Sequence, residues 1–303
     1  MSLEGIISNI SRGSLHDGPG VRTVVYFKGC GLRCKWCHNP ETFSLQPSIL
    51  YFPQKCISCK NCIRICPQAH KEGEGHMVFL RESCKVCGDC AQCCPTGALT
   101  RCGDMMSTGT LLTEVMKDYH YYQQSGGGVT ISGGECLLQV NFAEAFLRMC
   151  QKKKIHTAIE SSFHVPLENA LRILPVTDLV FADLKHPDPD LHQYYTGFTN
   201  EQIIQNIREV SRYHSNIIIR IPVIPGVNDA EKTMKAFGRI ITSFHGGVKG
   251  VELMKYNYLA KSKYESLGLN YNSFGEQTQS KEQMGVLVEI LQSQITQPVF
   301  YDK

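Results

Sequence analysis

The segment "GCGLRCKWCHNPET", residues 29–42, contains the three cysteines on which the assignment of the fold rests. Cys30, Cys34 and Cys37 are spaced C-x3-C-x2-C, which is too irregular for the loop of a ferredoxin. Metal sites built from cysteine normally use four ligands, so one coordination position is left open. The β-rich apolar run "VRTVVYFKG", residues 21–29, leads into the segment. The sequence therefore predicts a metal-binding loop that follows a β-strand and keeps one position for a ligand from outside the protein.

The composition is that of an ordinary soluble globular protein. The chain has 303 residues, of which 42% are hydrophobic and 19% charged, and its net charge is +3. A charge this small does not indicate a nucleic-acid partner or an anionic membrane. The N-terminal "MSLEGIISNIS" lacks the basic start and apolar core of a signal peptide, and no apolar run approaches the roughly 20 residues that a membrane-spanning helix needs. We therefore expect a cytoplasmic protein.

The chain contains 15 cysteines, and most of them fall into three regular clusters. In a chain of this length without an export signal, clustered cysteines favour metal binding in a reducing compartment over disulfides. Cys93, Cys102 and Cys150 have no pattern around them, and no role is assigned to them. Cys136 is expected to be structural, because a small apolar residue suits a strand-to-helix turn.

Two of the clusters form an internal repeat. "CISCKNCIRICP" begins at Cys56 and "CKVCGDCAQCCP" begins at Cys84, and both read C-x2-C-x2-C-x3-C-P, as in bacterial ferredoxins with two 4Fe–4S clusters. In such proteins the fourth cysteine of each run ligates the other cluster. The predicted ligand sets are Cys56, Cys59, Cys62 and Cys94 for one cluster, and Cys66, Cys84, Cys87 and Cys90 for the other. A pair of zinc sites is the weaker alternative, because zinc motifs lack this triple run and its proline.

We expect the repeat to be a ferredoxin-like insert, residues 50–103, within a single α/β domain formed by residues 1–49 and 104–303. Strand-like and helix-like segments alternate in that domain, which predicts a parallel sheet. One long helix is predicted over residues 108–124. The strand candidates that follow are "GVTIS" (128–132), "HTAIE" (156–160), "TDLVFADLK" (177–185), "NIIIRIPVI" (216–224) and "GVELMKYN" (250–257).

The informative motifs lie where strands end. They include the cysteine loop, "SGGE" at residues 132–135 and "DLK" at residues 183–185. Active sites of β/α barrels gather at the C-terminal ends of the strands, so the motifs should meet there. With the strand before the cysteine loop, the count is six, short of the eight of a closed barrel. The predicted fold class is α/β, an open partial (β/α)6 barrel with an inserted two-[4Fe–4S] ferredoxin-like domain.

Several segments resemble the activating enzymes of glycyl radical enzymes, in the radical S-adenosylmethionine (SAM) superfamily. They are "HDGPGVRTVVYFKGCGLRCKWCHNPET" (16–42), "SGGGVTISGGECLLQ" (125–139), "DLVFADLK" (178–185) and "IIIRIPVIPGVND" (217–229). With the cluster repeat, they are similar to the pyruvate formate-lyase activating enzyme-like proteins that carry a two-cluster ferredoxin insert. The resemblance implies a radical SAM barrel in which Cys30, Cys34 and Cys37 bind three irons of a 4Fe–4S cluster and SAM binds the fourth.

The activity that this resemblance implies is reductive cleavage of SAM to a 5′-deoxyadenosyl radical. The radical abstracts a Cα hydrogen from a glycine of a large glycyl radical enzyme, the protein substrate. The implied cofactors are three [4Fe–4S] clusters, SAM as co-substrate and a monovalent cation. Flavodoxin or ferredoxin is the implied reductant, with no nucleic-acid or membrane partner.

The resemblance also assigns SAM-binding roles to individual residues. These residues are Trp36, Cys37 and His38 beside the adenine, Gly133, Gly134 and Glu135 of the "SGGE" loop, Asp183, Leu184 and Lys185 of "DLK", Arg220, and Asn257 where the family usually has histidine. Glu160, Ser161 and Asp183 are assigned to the cation. Other interpretations stay open, because Trp36 is also suited to a core position and Arg220 to a salt bridge under the barrel.

Two other functions remain possible on the sequence alone. One is a different radical SAM protein-modifying enzyme with auxiliary clusters, such as a maturase, although those enzymes generally place the extra clusters after the barrel. The other is an electron-transfer iron–sulfur protein, which would need neither "SGGE" nor "DLK". Production of 5′-deoxyadenosine from SAM separates an enzyme from a carrier. The sequence does not identify the partner enzyme, the electron donor or the oligomeric state.

Overall fold

The computed structural model describes residues 3–301. The strands in this range are β1 Glu4–Ser14, β2 Arg22–Phe27, β3 Ser48–Tyr51, β4 His70–Glu72, β5 Met77–Phe79, β6 Leu99–Cys102, β7 Asp104–Ser107, β8 Gly128–Gly133, β9 His156–Ser161, β10 Leu179–Asp183, β11 Ile217–Pro222, β12 Val248–Met254 and β13 Val299–Tyr301. The helices are α1 Asn61–Ile65, α2 Asp89–Gln92, α3 Thr108–Met116, α4 Tyr119–Ser125, α5 Val140–Lys152, α6 Leu167–Ile173, α7 Pro189–Thr196, α8 Glu201–Tyr213, α9 Glu231–Ile241, α10 Lys261–Leu267 and α11 Lys281–Gln292.

A nine-stranded sheet in the order β13-β12-β11-β10-β9-β8-β2-β1-β7 forms the centre of the molecule. The six strands predicted from the sequence are β2 and β8 to β12, and each pairs in parallel with the next. The sheet is open, since among the described residues its first and last strands have no further partner. The predicted α/β fold with an incomplete parallel barrel is therefore confirmed.

Apolar helix faces cover this sheet. In α8 the buried residues Ile203, Ile207 and Val210 recur at helical spacing, whereas α5 buries Phe142 and Phe146. The strands contribute side chains with almost no exposure to the same core, which is typical of a parallel sheet protected on its faces. This packing brings the C-terminal ends of all six predicted strands to one edge.

Two details of the predicted fold were wrong. The expected helix over residues 108–124 is two helices, α3 and α4, and the chain between them is held by Asp118, whose carboxylate accepts hydrogen bonds from Arg12 and Thr23. The strand count was also too low. β13 adds a seventh parallel strand, and β1 adds an antiparallel pair with β2 and another with β7.

The cysteine repeat occupies a small separate unit. Its ends are β3 and β6, which pair antiparallel so that Ser48 lies opposite Cys102 and Tyr51 lies opposite Leu99. Beyond this pair the chain forms α1, α2 and the β4–β5 hairpin around a hydrophobic cluster of its own. The predicted insert boundaries, residues 50 and 103, fall in β3 and directly after β6. Within residues 3–301, no helix combines the length and apolar character needed to cross a membrane.

Candidate active site

The three-cysteine loop leaves the end of β2 and folds over the C-terminal edge of the sheet. Cys30, Cys34 and Cys37 all line one cavity of ≈ 640 Å³ that opens to solvent. Backbone hydrogen bonds fix the loop, since Arg33 N–H donates to the Thr196 carbonyl (2.7 Å) at the end of α7. The loop therefore presents three thiols to one space from a backbone anchored to a neighbouring helix.

The "SGGE" turn packs directly against this loop. Gly133 has φ +114°, and a Cβ there would lie 2.4 Å from backbone atoms of Phe27. A Cβ on Gly134 would lie 2.1 Å from the carbonyl oxygen of Gly29. Only glycine permits so close an approach of two backbones. The two glycines were predicted to admit SAM; they line the cysteine cavity, and they also let the turn contact the cysteine loop.

Glu135 turns its side chain away from this cavity. Its carboxylate accepts hydrogen bonds from Ser161 Oγ (2.8 Å), Ser162 Oγ (2.6 Å), Ser162 N (2.9 Å) and Leu137 N (3.1 Å). Burial raises the pKa of Glu135, and these hydrogen bonds act in the opposite direction. Glu135 thus joins the end of β8 to the end of β9, and its side chain has no capacity left for SAM.

A second cavity of ≈ 710 Å³ adjoins the first and shares Cys34, Cys37, Asp183 and Lys185 with it. Its other lining residues include Trp36, His38 and Asn257, the predicted adenine segment and the substitute for the family histidine. His38 Nδ1 is buried there without a hydrogen-bond partner. Asn257 is exposed, and its Nδ2 lies 3.5 Å from His38 Nε2. The two cavities together form a continuous site for a molecule with both polar and flat aromatic parts.

Asp183 and Lys185 lie where the two cavities meet. Lys185 Nζ donates to Asp183 Oδ2 at 2.8 Å. Burial disfavours the charged ammonium, but the Asp183 carboxylate together with the nearby Cys34 and Cys30 thiols holds the pKa of Lys185 above its ordinary value. Burial likewise raises the pKa of Asp183, against the opposing effect of Lys185. The site therefore keeps a cation and a carboxylate side by side, ready to bind the zwitterionic end of an amino acid.

Arg220 is buried behind the wall of the site and lines neither cavity. Its guanidinium donates to Glu160 Oε1 and to Glu252 Oε2, both at 2.8 Å, and lies 3.7 Å from the centre of the Phe181 ring. Burial opposes ionisation of Glu160, yet Arg220 holds the pKa of that carboxyl below its ordinary value. The alternative interpretation of Arg220, a salt bridge under the barrel, describes this geometry.

The predicted cation ligands are already occupied by protein groups. Glu160 accepts hydrogen bonds from Arg220 and from Ser132 Oγ, and Asp183 accepts one from Lys185. The Ser161 hydroxyl donates to Glu135. Glu160 and Asp183 face the cavities, whereas Ser161 lines neither of them. The trio therefore does not fit a free monovalent cation.

Four cysteines of the insert share one cavity. Cys56, Cys59, Cys62 and Cys94 line this cavity of ≈ 550 Å³, so the fourth cysteine of the second run reaches the first loop. Burial raises the pKa of Cys90, and the nearby thiols of Cys84, Cys66, Cys87 and Cys93 raise it further, so this pKa does not separate the second predicted set from Cys93. Among the described residues no three His, Cys, Asp or Glu side chains converge on a single metal ion. A cubane cluster does not require such convergence, because each thiolate binds a different iron.

Most of the residues predicted from the sequence to bind SAM, its cluster or the cation line one of the two cavities of this site, but four do not. Leu184, Glu135, Ser161 and Arg220 lie outside both cavities. Ser132, Met254 and Tyr256 line them and were not assigned. Glu252 was also missed, although an acidic residue inside the apolar strand "GVELM" is a sign of a buried ion pair. Cys136 is fully buried in the turn after Glu135, as a structural residue would be.

The loop has three cysteines and leaves one coordination position open. Beside it, at the carboxyl edge of a partial barrel, lies a pocket that suits a zwitterion and a flat ring. This arrangement is typical of a radical SAM protein. The model of the radical SAM superfamily matches residues 88–237, and a model for a 4Fe–4S single cluster domain matches residues 16–69. A radical SAM methyltransferase from Sphaerobacter thermophilus shares the fold, with a TM-score of 0.54 at 12% identity over 98% of this chain and 76% of that chain.

Relatives in sequence define the family more narrowly. The (2S)-3-sulfopropanediol dehydratase activating enzyme of Klebsiella oxytoca is 41% identical over 88% of this chain and 86% of the relative. The trans-4-hydroxy-L-proline dehydratase activating enzyme of Clostridioides difficile is 37% identical over 92% of this chain and 93% of the relative. The chain belongs to the glycyl radical enzyme activating enzymes of the radical SAM superfamily, and it is an enzyme.

Proposed function

We propose that this chain uses SAM to abstract a Cα hydrogen from a glycine of a large partner enzyme and so leaves a glycyl radical in that partner. The observation that carries the proposal is that Cys30, Cys34 and Cys37 share a cavity with Gly133 and Gly134, next to the Asp183–Lys185 pair. Three thiolates suit a 4Fe–4S cluster with one iron free. When bound there, the cluster and SAM supply an electron and a primary carbon radical.

The side chains around the two cavities have complementary roles. Lys185 is placed to pair with a carboxylate, and Asp183 to accept hydrogen bonds from hydroxyl or ammonium groups. Trp36 offers an aromatic face for a purine, and the unpaired His38 Nδ1 offers a polar partner at its rim. Arg220 and Ser132 hold the Glu160 carboxylate in place. These residues bind and orient SAM and keep water away from the reacting carbon.

The two other ligand sets, in the insert, are proposed to hold two further 4Fe–4S clusters, which makes three in the chain. The cavity formed by Cys56, Cys59, Cys62 and Cys94 supports this proposal, since cysteines from both halves of the repeat meet in it. A flavodoxin or a ferredoxin is the proposed source of electrons, and the cytoplasm is the proposed location. The two named relatives are activating enzymes of dehydratases, so a large glycyl radical enzyme of this kind is the proposed partner.

The test is electron paramagnetic resonance on an anaerobic mixture of this protein, SAM, a strong reductant and the glycyl radical enzyme encoded by the neighbouring gene. We expect a doublet that collapses to a singlet when the partner carries α-deuterated glycine. The Cys30→Ala/Cys34→Ala/Cys37→Ala variant is the control and should give neither signal nor 5′-deoxyadenosine. Abundant 5′-deoxyadenosine from the wild type with no radical in the partner would favour a small-molecule substrate instead.

A further inference from the structure

The positive charge of this protein is concentrated in the insert. With the cysteines counted as neutral thiols, residues 50–103 contain seven Lys or Arg and four Asp or Glu, a net side-chain charge of +3, which is the net charge of the whole chain. The barrel segments are therefore neutral overall. Each 4Fe–4S cluster on four thiolates would bring about two negative charges, so the positive charge that a partner meets is that of the surface Lys and Arg side chains. The two halves of the repeat also differ. The first loop, residues 53–67, has Lys55, Lys60 and Arg64 and no acidic residue, whereas residues 81–95 have two basic and two acidic residues.

The first loop also lies on the outer side of the insert. Its cavity is lined only by residues between 51 and 99. Cys59 is exposed in this loop, Ile57 is 64% exposed, and the Lys60 side chain is 57% exposed. Within residues 3–301, these cations form one ion pair, between Lys60 and Glu72 of the adjoining hairpin, at 2.9 Å. The loop thus combines a cluster cavity, exposed apolar side chains and an excess of positive charge.

The second half of the repeat is the side that is attached to the barrel. Arg81 donates hydrogen bonds to the carbonyls of Ile49 (3.0 Å) and Ser266, and Ser266 belongs to α10 of the barrel. A Cβ on Gly268 would lie 2.8 Å from Arg81 Nε, which shows how closely the two units pack at this point. The insert therefore has an inner half that contacts the barrel and an outer half that is basic and exposed.

We propose that the first loop, residues 53–67, is the docking surface for a small acidic one-electron carrier protein. This inference rests on the proposed function and on both insert clusters being present. A cluster held by Cys56, Cys59, Cys62 and Cys94 would accept one electron from the reduced cofactor of the carrier, which would leave in its oxidised form. One such electron would be needed for each S–C bond of SAM that is broken and each methionine formed.

Charge is the main reason for choosing an acidic carrier. A basic surface around an exposed redox site attracts an acidic partner and orients it on approach, and this effect weakens as salt is added. The exposed Ile57 and Ile65 supply the small apolar contact that a transient complex uses. A basic carrier would be repelled by Lys55, Lys60 and Arg64.

The experiment uses the full-length holoenzyme and an acidic flavodoxin as the probe. Calorimetry measures binding of oxidised flavodoxin, and stopped-flow absorbance measures cluster reduction by reduced flavodoxin. We expect Lys55→Glu/Lys60→Glu/Arg64→Glu to weaken binding and slow reduction at least tenfold at low salt, with little difference from the wild type at high salt. Iron content and SAM cleavage driven by dithionite should be unchanged.

The matched control, Lys152→Glu/Lys153→Glu/Lys154→Glu at the end of α5, changes the net charge equally and should bind flavodoxin normally.

Unchanged flavodoxin affinity and reduction rate in the loop variant would overturn the docking surface. Equal weakening in the α5 control would also overturn it, since net charge rather than the loop would then be responsible. If the glutamate variant loses iron, the Lys55→Gln/Lys60→Gln/Arg64→Gln variant is measured in its place. Normal binding of flavodoxin to this glutamine variant would refute the docking surface. Failure of the wild type to form 5′-deoxyadenosine with dithionite would count against the proposed function instead.

Discussion

Glu135 and Arg220 show what a motif can and cannot reveal about a single residue. Both belong to segments that carry the family resemblance. Glu135 was predicted as part of the loop whose backbone meets the SAM amino group, and Arg220 as a basic residue near the SAM carboxylate or the cluster. In the structure each is almost fully buried and forms several hydrogen bonds with neighbouring strands. A sequence pattern places a residue at the end of a strand, but the direction of its side chain depends on partners from other strands. We therefore expect both side chains to hold the cavity wall in position.

The substitution Glu135→Gln tests that role. An amide would offer donors where the carboxylate now accepts hydrogen bonds from Ser161, Ser162 and the Leu137 backbone. We expect a loss of roughly 1–3 kcal/mol in the free energy of unfolding, the usual result of leaving buried hydrogen-bonding groups unsatisfied. SAM affinity of the folded protein should change less than about threefold, or roughly 0.6 kcal/mol. Thermal unfolding and SAM titration measure the two effects.

The exposed substitution Glu82→Gln is the control for Glu135→Gln and should alter neither quantity. If Glu135→Gln keeps the wild-type melting temperature but loses SAM binding, the carboxylate contacts SAM directly and the positioning role is wrong.

At the scale of elements, the three-cysteine loop and the insert hold separate ligand sets, so the loop should fill independently of the insert. If each ligand set holds one 4Fe–4S cluster, anaerobic reconstitution should give about 12 irons per chain. Replacing Cys30, Cys34 and Cys37 with alanine should leave about eight irons and abolish SAM cleavage. Iron and sulfide assays with Mössbauer spectroscopy give the count.

A matched control for the iron count is Cys93→Ala. The Cys93 thiol donates to the carbonyl of Cys90 at 3.3 Å and belongs to neither predicted ligand set. This variant should keep the full iron content. A loss of about four irons from it would show that the register of the second run is misassigned.

The elements also show how far the sequence could predict the fold and the site. The six parallel strands and the edge at which their motifs meet follow from alternating strand and helix patterns, and all were found. β13 is only three residues long, and β1 mixes exposed and buried positions, so neither has a strong pattern. Tyr256 and Met254 were missed as lining residues because ordinary apolar residues near a strand end have no distinguishing feature.

At the scale of the whole molecule, the chain enters and leaves the insert through one antiparallel pair of short strands, and Arg81 adds a contact to α10 of the barrel. Tyr51 and Leu99 lie directly opposite each other at the outer end of this pair, and the insert has its own hydrophobic cluster. α10 packs against β3, which belongs to the barrel side of this connection. The barrel and its three-cysteine loop should therefore fold without the insert, provided that β3 and β6 remain paired.

The final prediction uses this connection. Residues 52–98 are replaced by Asn-Gly, a two-residue turn that matches the twist of an antiparallel pair, and Tyr51 and Leu99 become threonine because their apolar partners in the insert are removed. We expect a folded protein with about four irons that cleaves SAM with dithionite and no longer accepts electrons from flavodoxin. Circular dichroism, iron assay and 5′-deoxyadenosine chromatography test these points. The same chain with Cys30, Cys34 and Cys37 changed to alanine is the control and should hold no iron.

An aggregated or molten product would show that the barrel depends on the insert for stability. A folded product that still takes electrons from flavodoxin would place the docking surface on the barrel.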